Sequence, residues 1–180
     1  MKKRVLCLLF TGFEEVEAIA PVDLLRRAGV EVIVASLTGE RLVTGRCDIT
    51  VQADASLADV AEQEFDLLLI PGGPGVKALR ADGRAAKLAQ VYAQIGKPVA
   101  AICAAPTVLK DAGLLAGKRF TSHAGVLPEL PDSLLNERVI EDENIITSRG
   151  AATAVDFGLA LVQRLCGEAA AREVAKGIMA

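Results

Sequence analysis

Apolar runs of strand length occupy positions 5–10, 65–70 (with Asp66 the one polar residue) and 98–102. A strand with one wet face alternates polar and apolar residues; a run without alternation fits a strand buried on both faces. The β-branched stretch 30–37 reads as a further strand, and 119–122 as another that ends at His123. Positions 139–141 and 145–147 read as a strand pair around the turn Asp142-Glu143-Asn144, and 42–51 as a short hairpin. Helical stretches lie between them. The first, 14–28, is stopped by Gly29 and carries Pro21, which predicts a kink or an irregular start. Others follow at 57–63, at 76–95 (one or two helices, broken near Asp82-Gly83), at 104–112 before Gly113, at 151–166 and at 168–176. Strands alternating with helices predict an α/β fold, a mostly parallel sheet with helices on both faces. No repeat, low-complexity segment or Pro/Gly/Ser-rich linker divides the chain, so 1–180 reads as one domain.

Composition supports a packed core. The 180 residues are 52% hydrophobic and 24% charged, which excludes a disordered chain. For this size, surface scaling predicts roughly 8,300 Å² exposed when folded against about 27,000 Å² unfolded. Five Phe, one Tyr and no Trp leave few rings on which single-stranded nucleic acid could stack. A net charge of −3 gives no basic surplus for phosphate backbones, so no nucleic-acid partner is expected. The basic start and the apolar run 5–10 resemble a signal segment only briefly, because Thr11-Gly12 and acids follow; no membrane partner is expected. Four cysteines without C-x-x-C spacing and a single histidine cannot make a finger-type zinc site, and no metal or cofactor is expected. Unclustered thiols suit a reducing compartment, hence a cytoplasmic protein.

Four places carry candidate chemistry. A lone cysteine is usually a small buried hydrophobe. Cys7, Cys47 and Cys166 read that way, with Cys7 and Cys166 placed in the core. Cys103 sits among small residues where the 98–102 strand gives way to a helix. That is the geometry of a nucleophile elbow at the carboxyl edge of a sheet. The helix start would favour thiolate and lower the pKa below its free value of about 8.5. The residues alone leave both readings of Cys103 open. Ile70-Pro71-Gly72-Gly73-Pro74-Gly75 matches neither a dinucleotide nor a Walker motif. It is a tight turn, or a set of exposed N–H groups that could hold an oxyanion. Glu14, Glu15 and Glu17 either complement a helix dipole or border the elbow, since Glu14 and Glu17 share a helix face. A carboxyl beside a thiolate would have a raised pKa and could donate a hydrogen bond to sulfur. His123 is a surface residue, or the one imidazole able to pair with a cysteine.

The segments Glu14-Glu15-Val16-Glu17, Pro21-Val22-Asp23-Leu24-Leu25-Arg26-Arg27-Ala28-Gly29, Asp54-Ala55-Ser56-Leu57, Leu69-Ile70-Pro71-Gly72-Gly73, Ala100-Ala101-Ile102-Cys103-Ala104-Ala105-Pro106 and Thr147-Ser148-Arg149-Gly150 occur in family order over nearly the whole chain. Together they resemble the ThiJ/PfpI superfamily, most closely its Parkinsonism-associated deglycase (DJ-one-like) branch. The resemblance implies a flavodoxin-like three-layer sandwich that forms homodimers. It implies Cys103 as nucleophile in a strained backbone, and Glu17 as a partly protonated carboxyl touching the sulfur, with Glu14 nearby. It also implies His123 as the neighbouring histidine, Gly72, Gly73 and Ala104 as oxyanion-site amides, and Arg27 near the pocket mouth. Animal relatives carry an arginine that reaches across the dimer near the position of Cys47; here Arg46 precedes it by one. The implied activity is cofactor-independent chemistry on an aldehyde or dicarbonyl such as methylglyoxal. Cys103 adds to the aldehyde, Glu17 or His123 moves a proton through an enediol, and a thioester hydrolyses to a hydroxy acid, as in glyoxalase III or deglycase reactions. One alternative is an oxidative-stress sensor or redox-regulated chaperone, through oxidation of Cys103 to sulfinate. Another is a peptidase or amidotransferase, for which no acid accompanies His123 and Ala104 stands where peptidase relatives have a histidine.

Overall fold

The three apolar runs become the centre of a sheet, in a computed structural model that describes residues 2–180. The strands are β1 (Arg4–Leu9), β2 (Glu31–Ser36), β3 (Leu42–Thr44), β4 (Thr50–Gln52), β5 (Ala55–Ser56), β6 (Leu67–Ile70), β7 (Val99–Ile102), β8 (Val139–Asp142) and β9 (Ile145–Ser148). The helices are α1 (Glu15–Arg27), α2 (Val76–Asp82), α3 (Arg84–Gln94), α4 (Pro106–Asp111), α5 (Ala154–Cys166) and α6 (Glu168–Gly177). Seven strands lie in the order β5-β2-β1-β6-β7-β9-β8, and β3 pairs with β4 in a separate hairpin. Every pairing in the large sheet is parallel except β8 with β9. The crossover from β1 to β2 runs one way along the sheet and that from β6 to β7 runs the other. Right-handed crossovers in opposite directions put their helices on opposite faces. Thus α1 packs with α5 and α6 in one layer, and α2, α3 and α4 pack together in the other. This is the flavodoxin-like α/β architecture expected. The double cover explains why β6 and β7 show no polar alternation: all eight of their residues are buried.

Register brings the chemistry to one edge. Ile70 pairs with Ala101, and Ile102 with Ser148. The loops that leave β1, β6, β7 and β9 therefore emerge side by side at the carboxyl edge, where the change of strand direction opens a crevice.

Several local expectations change. The stretch 57–63 forms only a single 3₁₀ turn at Ala58–Val60, where Ser56 and Asp59 close a tight turn with reciprocal side-chain to backbone bonds of 3.2 Å. The stretch 119–122 is not a strand. Its N–H groups turn to side chains, Arg119 to Asp142 at 2.8 Å and Thr121 to Thr147 Oγ1 at 2.9 Å, rather than to a ladder. The helix after the elbow begins at Pro106 and has 6 residues. Cys7 is buried as expected; Cys166 is exposed, because it ends α5 just before Gly167. Among the described residues, no helix is long and apolar enough to cross a membrane.

The α1–α5 contact depends on Gly158. A Cβ there would lie 2.7 Å from Leu24 Cδ1 and 3.0 Å from Pro21 Cα, closer than atoms pack. Gly158→Val should therefore destabilise the fold by about 1–3 kcal/mol through overpacking. Denaturant unfolding should show a lower midpoint with unchanged slope; an unchanged midpoint would mean that the two helices have room to spare.

Candidate active site

Cys103 has φ 66°, in the left-handed region, which costs a residue with a Cβ about 1–2 kcal/mol. The elbow is held from both sides. Cys103 N–H donates to Ser148 O at 2.8 Å, and its carbonyl accepts from His123 N–H at 2.8 Å. Ala105 N–H donates back to Ile102 O at 3.0 Å and closes the turn. The backbone is thus over-determined by β9 and by the segment that precedes His123, the condition under which strain persists. The backbone amides of Gly73 and Ala104 favour the charged sulfur, and the carboxyl of Glu17 adjoins it.

Glu17 lies in the first turn of α1 and is 1% exposed. Its Oε2 accepts the Gly72 N–H at 3.0 Å. Gly72 is the spacer of this contact. A Cβ there would lie 2.5 Å from Glu17 Oε2, 2.6 Å from Cys103 Cβ and 2.8 Å from Ile102 O. Burial pushes the Glu17 pKa up to about 7; the hydrogen bond with Cys103 and that from Gly72 N–H oppose the rise, and Glu14 adds to it. Burial, then the charge of Glu17 and its hydrogen bond, push the Cys103 thiol up to about 12, against the pull of the Gly73 and Ala104 amides. The expected drop below the free thiol value is therefore corrected. The short α4 begins three residues beyond the sulfur, so two turn amides stand alone against burial and a carboxylate. Two groups this close titrate as a pair. Near neutral pH the pair is a thiol beside a carboxyl at its midpoint, able to take up the thiol proton when the sulfur attacks.

The remaining expected residues divide. Glu14 borders the pair: its N–H donates to Gly72 O at 2.9 Å, and its Oε2 pairs with Arg46 Nη1 at 3.0 Å. His123 is exposed, and its Nδ1 accepts the Gly125 N–H at 3.0 Å, which leaves the ring proton on Nε2. A Cβ on Gly150 would stand 3.7 Å from His123 Cδ2 and 3.9 Å from Glu17 Oε1, so His123 and Glu17 flank that glycine. A cavity of about 440 Å³ opens beside it, lined by His123, Leu135, Arg149 and Gly150 among others. Two placements are corrections. The Gly72 amide is spent on Glu17, so it faces the carboxyl rather than an oxyanion. Arg27 is exposed in the last turn of α1 and paired with Asp23 at 2.7 Å. At a rise of about 1.5 Å per residue it lies about 15 Å along the helix from Glu17, toward the opposite edge of the sheet.

Two residues carry more than their sequence context suggested. Arg46 reaches Glu14 from the loop between β3 and β4. Glu15, only 6% exposed, accepts the N–H groups of Cys47 at 2.8 Å and Ile49 at 3.4 Å, and so pins that loop to α1. A larger cavity, about 670 Å³, lies at the amino edge among Leu57, Val60, Phe65 and Tyr92. It contains neither a cysteine nor a histidine, so chemistry rather than size locates the site.

Comparison with known proteins agrees in extent and fold. A family model described as the DJ-1/PfpI family matches residues 3–164. The chain is 40% identical over 183 residues to Protein dj-1beta of Drosophila melanogaster, covering 99% of this chain and 98% of that one. The crystal structure of that fly protein superposes with a TM-score of 0.93. The Parkinson disease protein 7 homolog of Danio rerio is 35% identical over 187 residues, covering 96% of this chain and 94% of its own. A structure described as Toxoplasma gondii DJ-1, oxidized, is 30% identical, covers 98% of each chain and superposes with a TM-score of 0.92.

Glu17 also sets a pH dependence of stability. Its pKa is about 7 folded against 4.5 for the free group, so the folded chain holds the extra proton between those values. Stability attributable to Glu17 is therefore lost as pH rises through that window. Glu17→Gln keeps the acceptor for Gly72 and removes the charge. It should raise Tm at pH 8 by several degrees, on the order of 2–3 kcal/mol, and leave Tm at pH 4 nearly unchanged. An equal shift at both pH values would show that ionisation of Glu17 is not the cause.

Proposed function

The chain belongs to the DJ-1/PfpI family, and from that premise we propose that it is a cofactor-independent cysteine enzyme acting on reactive dicarbonyls such as methylglyoxal. The observation that carries this reading is the contact of the Cys103 sulfur with a buried carboxyl whose pKa is raised to about 7, under two backbone donors. A base poised near neutrality beside a nucleophile is what addition to an aldehyde needs.

In the proposed reaction the sulfur bonds to the aldehyde carbon, the carbonyl electron pair moves to oxygen, and the thiol proton passes to Glu17. Glu17 then hands that proton to the hemithioacetal oxygen and returns to carboxylate. Glu17 then removes the hydrogen from that carbon and the adjacent carbonyl oxygen is protonated, giving an enediol. Return of a proton from Glu17 to the second carbon, with loss of the hydroxyl proton on the sulfur-bearing carbon, yields a thioester of the hydroxy acid, which water cleaves to regenerate the thiol. Methylglyoxal and one water give lactic acid with no net oxidation. The amides of Gly73 and Ala104 border the oxygen that becomes negative, and the Nε2–H of His123 is the nearby side-chain donor for it. The cavity next to His123 would receive the rest of the substrate.

A homodimer belongs to the same proposal. Val16 and Ile19 on α1 and Leu42 and Ile49 on the β3–β4 hairpin are each more than 40% exposed, an apolar set suited to a second copy of this chain. The free thiols suit a reducing, cytoplasmic setting.

A second reading, oxidation sensing, is favoured by the same amides. Peroxide would convert the sulfur to sulfenate and then sulfinate, whose oxygens the Gly73 and Ala104 donors could hold.

The test is lactate formation from methylglyoxal without glutathione. Wild type should produce lactate, Cys103→Ser none, and Glu17→Gln should turn over about 10²- to 10⁴-fold more slowly. No lactate from wild type, together with a two-oxygen mass gain after mild peroxide that Cys103→Ser lacks, would replace the enzyme by the sensor.

A further inference from the structure

The hairpin loop that Glu15 pins to α1 brings three potential metal donors together. One carboxylate oxygen from Glu14, one from Glu15 and the Sγ of Cys47 all lie within 4.8 Å of one another. Glu15 adds an independent observation. Its Oε1 receives the Cys47 and Ile49 amides, but its Oε2 is buried with no hydrogen-bond partner. A buried carboxylate oxygen without a partner is costly, and a cation removes that cost.

We propose that Glu14, Glu15 and Cys47 form a binding site for a borderline-soft divalent cation of the Zn²⁺ type, beside the Cys103 pair but using neither of its two groups. The donor set decides the class of ion. A thiolate excludes Ca²⁺ and Mg²⁺, which take oxygen donors, and two carboxylates with one sulfur suit Zn²⁺ better than Cu⁺, which favours sulfur-rich sites. Zn–S near 2.3 Å and Zn–O near 2.1 Å in a tetrahedron require donors about 3.4–3.7 Å apart. Any pair of donors near the 4.8 Å limit must therefore close by about 1 Å. Cys47 is exposed on a loop and can swing inward, whereas Glu15 is held by its two amides. Glu14 accepts Arg46 through Oε2 only, so its other oxygen can face the ion, with water as the fourth ligand. The Arg46 side chain is half exposed, so its pairing with Glu14 is no strong competitor. On binding, the Cys47 thiol releases its proton to solvent.

This site does not depend on the reaction proposed for Cys103, and its test needs no substrate. The full chain is titrated with Co²⁺, which reports a thiolate ligand by a charge-transfer band in the near ultraviolet, and Zn²⁺ is then added in competition. Wild type and Cys103→Ser should show the band at one equivalent per chain and lose it to Zn²⁺. Cys47→Ser, at an exposed position, should fold normally and show no band. Glu14→Gln should weaken Zn²⁺ binding by at least about 10-fold. A band that survives Cys47→Ser, or one abolished by Cys103→Ser, would place the ion elsewhere and overturn the proposal. So would a wild-type protein without a band, or Glu14→Gln with unchanged affinity.

Discussion

A carboxyl that is 1% exposed and pressed against a thiol sets the terms for everything around it. Neither group can hold its charge cheaply there. The protein supplies one N–H to the carboxyl, from Gly72, and two to the sulfur, from Gly73 and Ala104. These three donors come from two loops that must approach within hydrogen-bond distance of α1. That approach requires glycine at 72, a left-handed backbone at 103, and strands whose ends lie level. The result is a pair that exchanges one proton, its carboxyl buried and its thiol partly so, and small changes in local charge move it a long way.

The sheet accounts for how distant residues meet. Glu17, Gly73, Cys103 and Gly150 are spread over more than 130 positions, yet each follows the carboxyl end of a strand in the block β1-β6-β7-β9. Parallel pairing makes that edge common to all of them. The antiparallel β8 supplies no loop to this edge before β9; it serves as an outer strand that closes the sheet. Glu14 ties the first two loops together through Gly72 O, and Arg46 carries the hairpin to the same place. The hairpin is thus attached to the site by charge, and to the body of the protein by the two amides that Glu15 accepts.

The central strands were legible because burial on both faces leaves an unmistakable mark: 67–70 and 99–102 are wholly apolar. The break between α2 and α3 was legible from Gly83, which adopts φ 78°. The stretch 119–122 misled because Phe120 and Thr121 are residue types that favour strands, while the N–H groups of Arg119 and Thr121 are satisfied by Asp142 and Thr147 side chains that no local pattern announces. At the site, Cys103, Glu17 and the amides of Gly73 and Ala104 were legible from the elbow and from resemblance. The direction of the thiol shift was not, because it turns on burial and on the sign of a neighbouring charge, both properties of tertiary packing. Arg27 was misplaced for a similar reason: a helix carries residue 27 away from residue 17 by its length alone. Glu15 passed for one acid among three, and only the folded loop reveals it as an anchor.

The bonds that hold the elbow come from later in the chain. Cys103 donates to Ser148 and accepts from His123. A polypeptide emerging from the ribosome exposes residue 103 well before residue 148, so for that interval the thiol sits on a chain with no partner to force its backbone left-handed. The thiol is then an ordinary cysteine, without the paired carboxyl and amides in their final places. The strained turn is completed only when the last strand of the sheet is in position, and with it the carboxyl and amides that become partners of the sulfur.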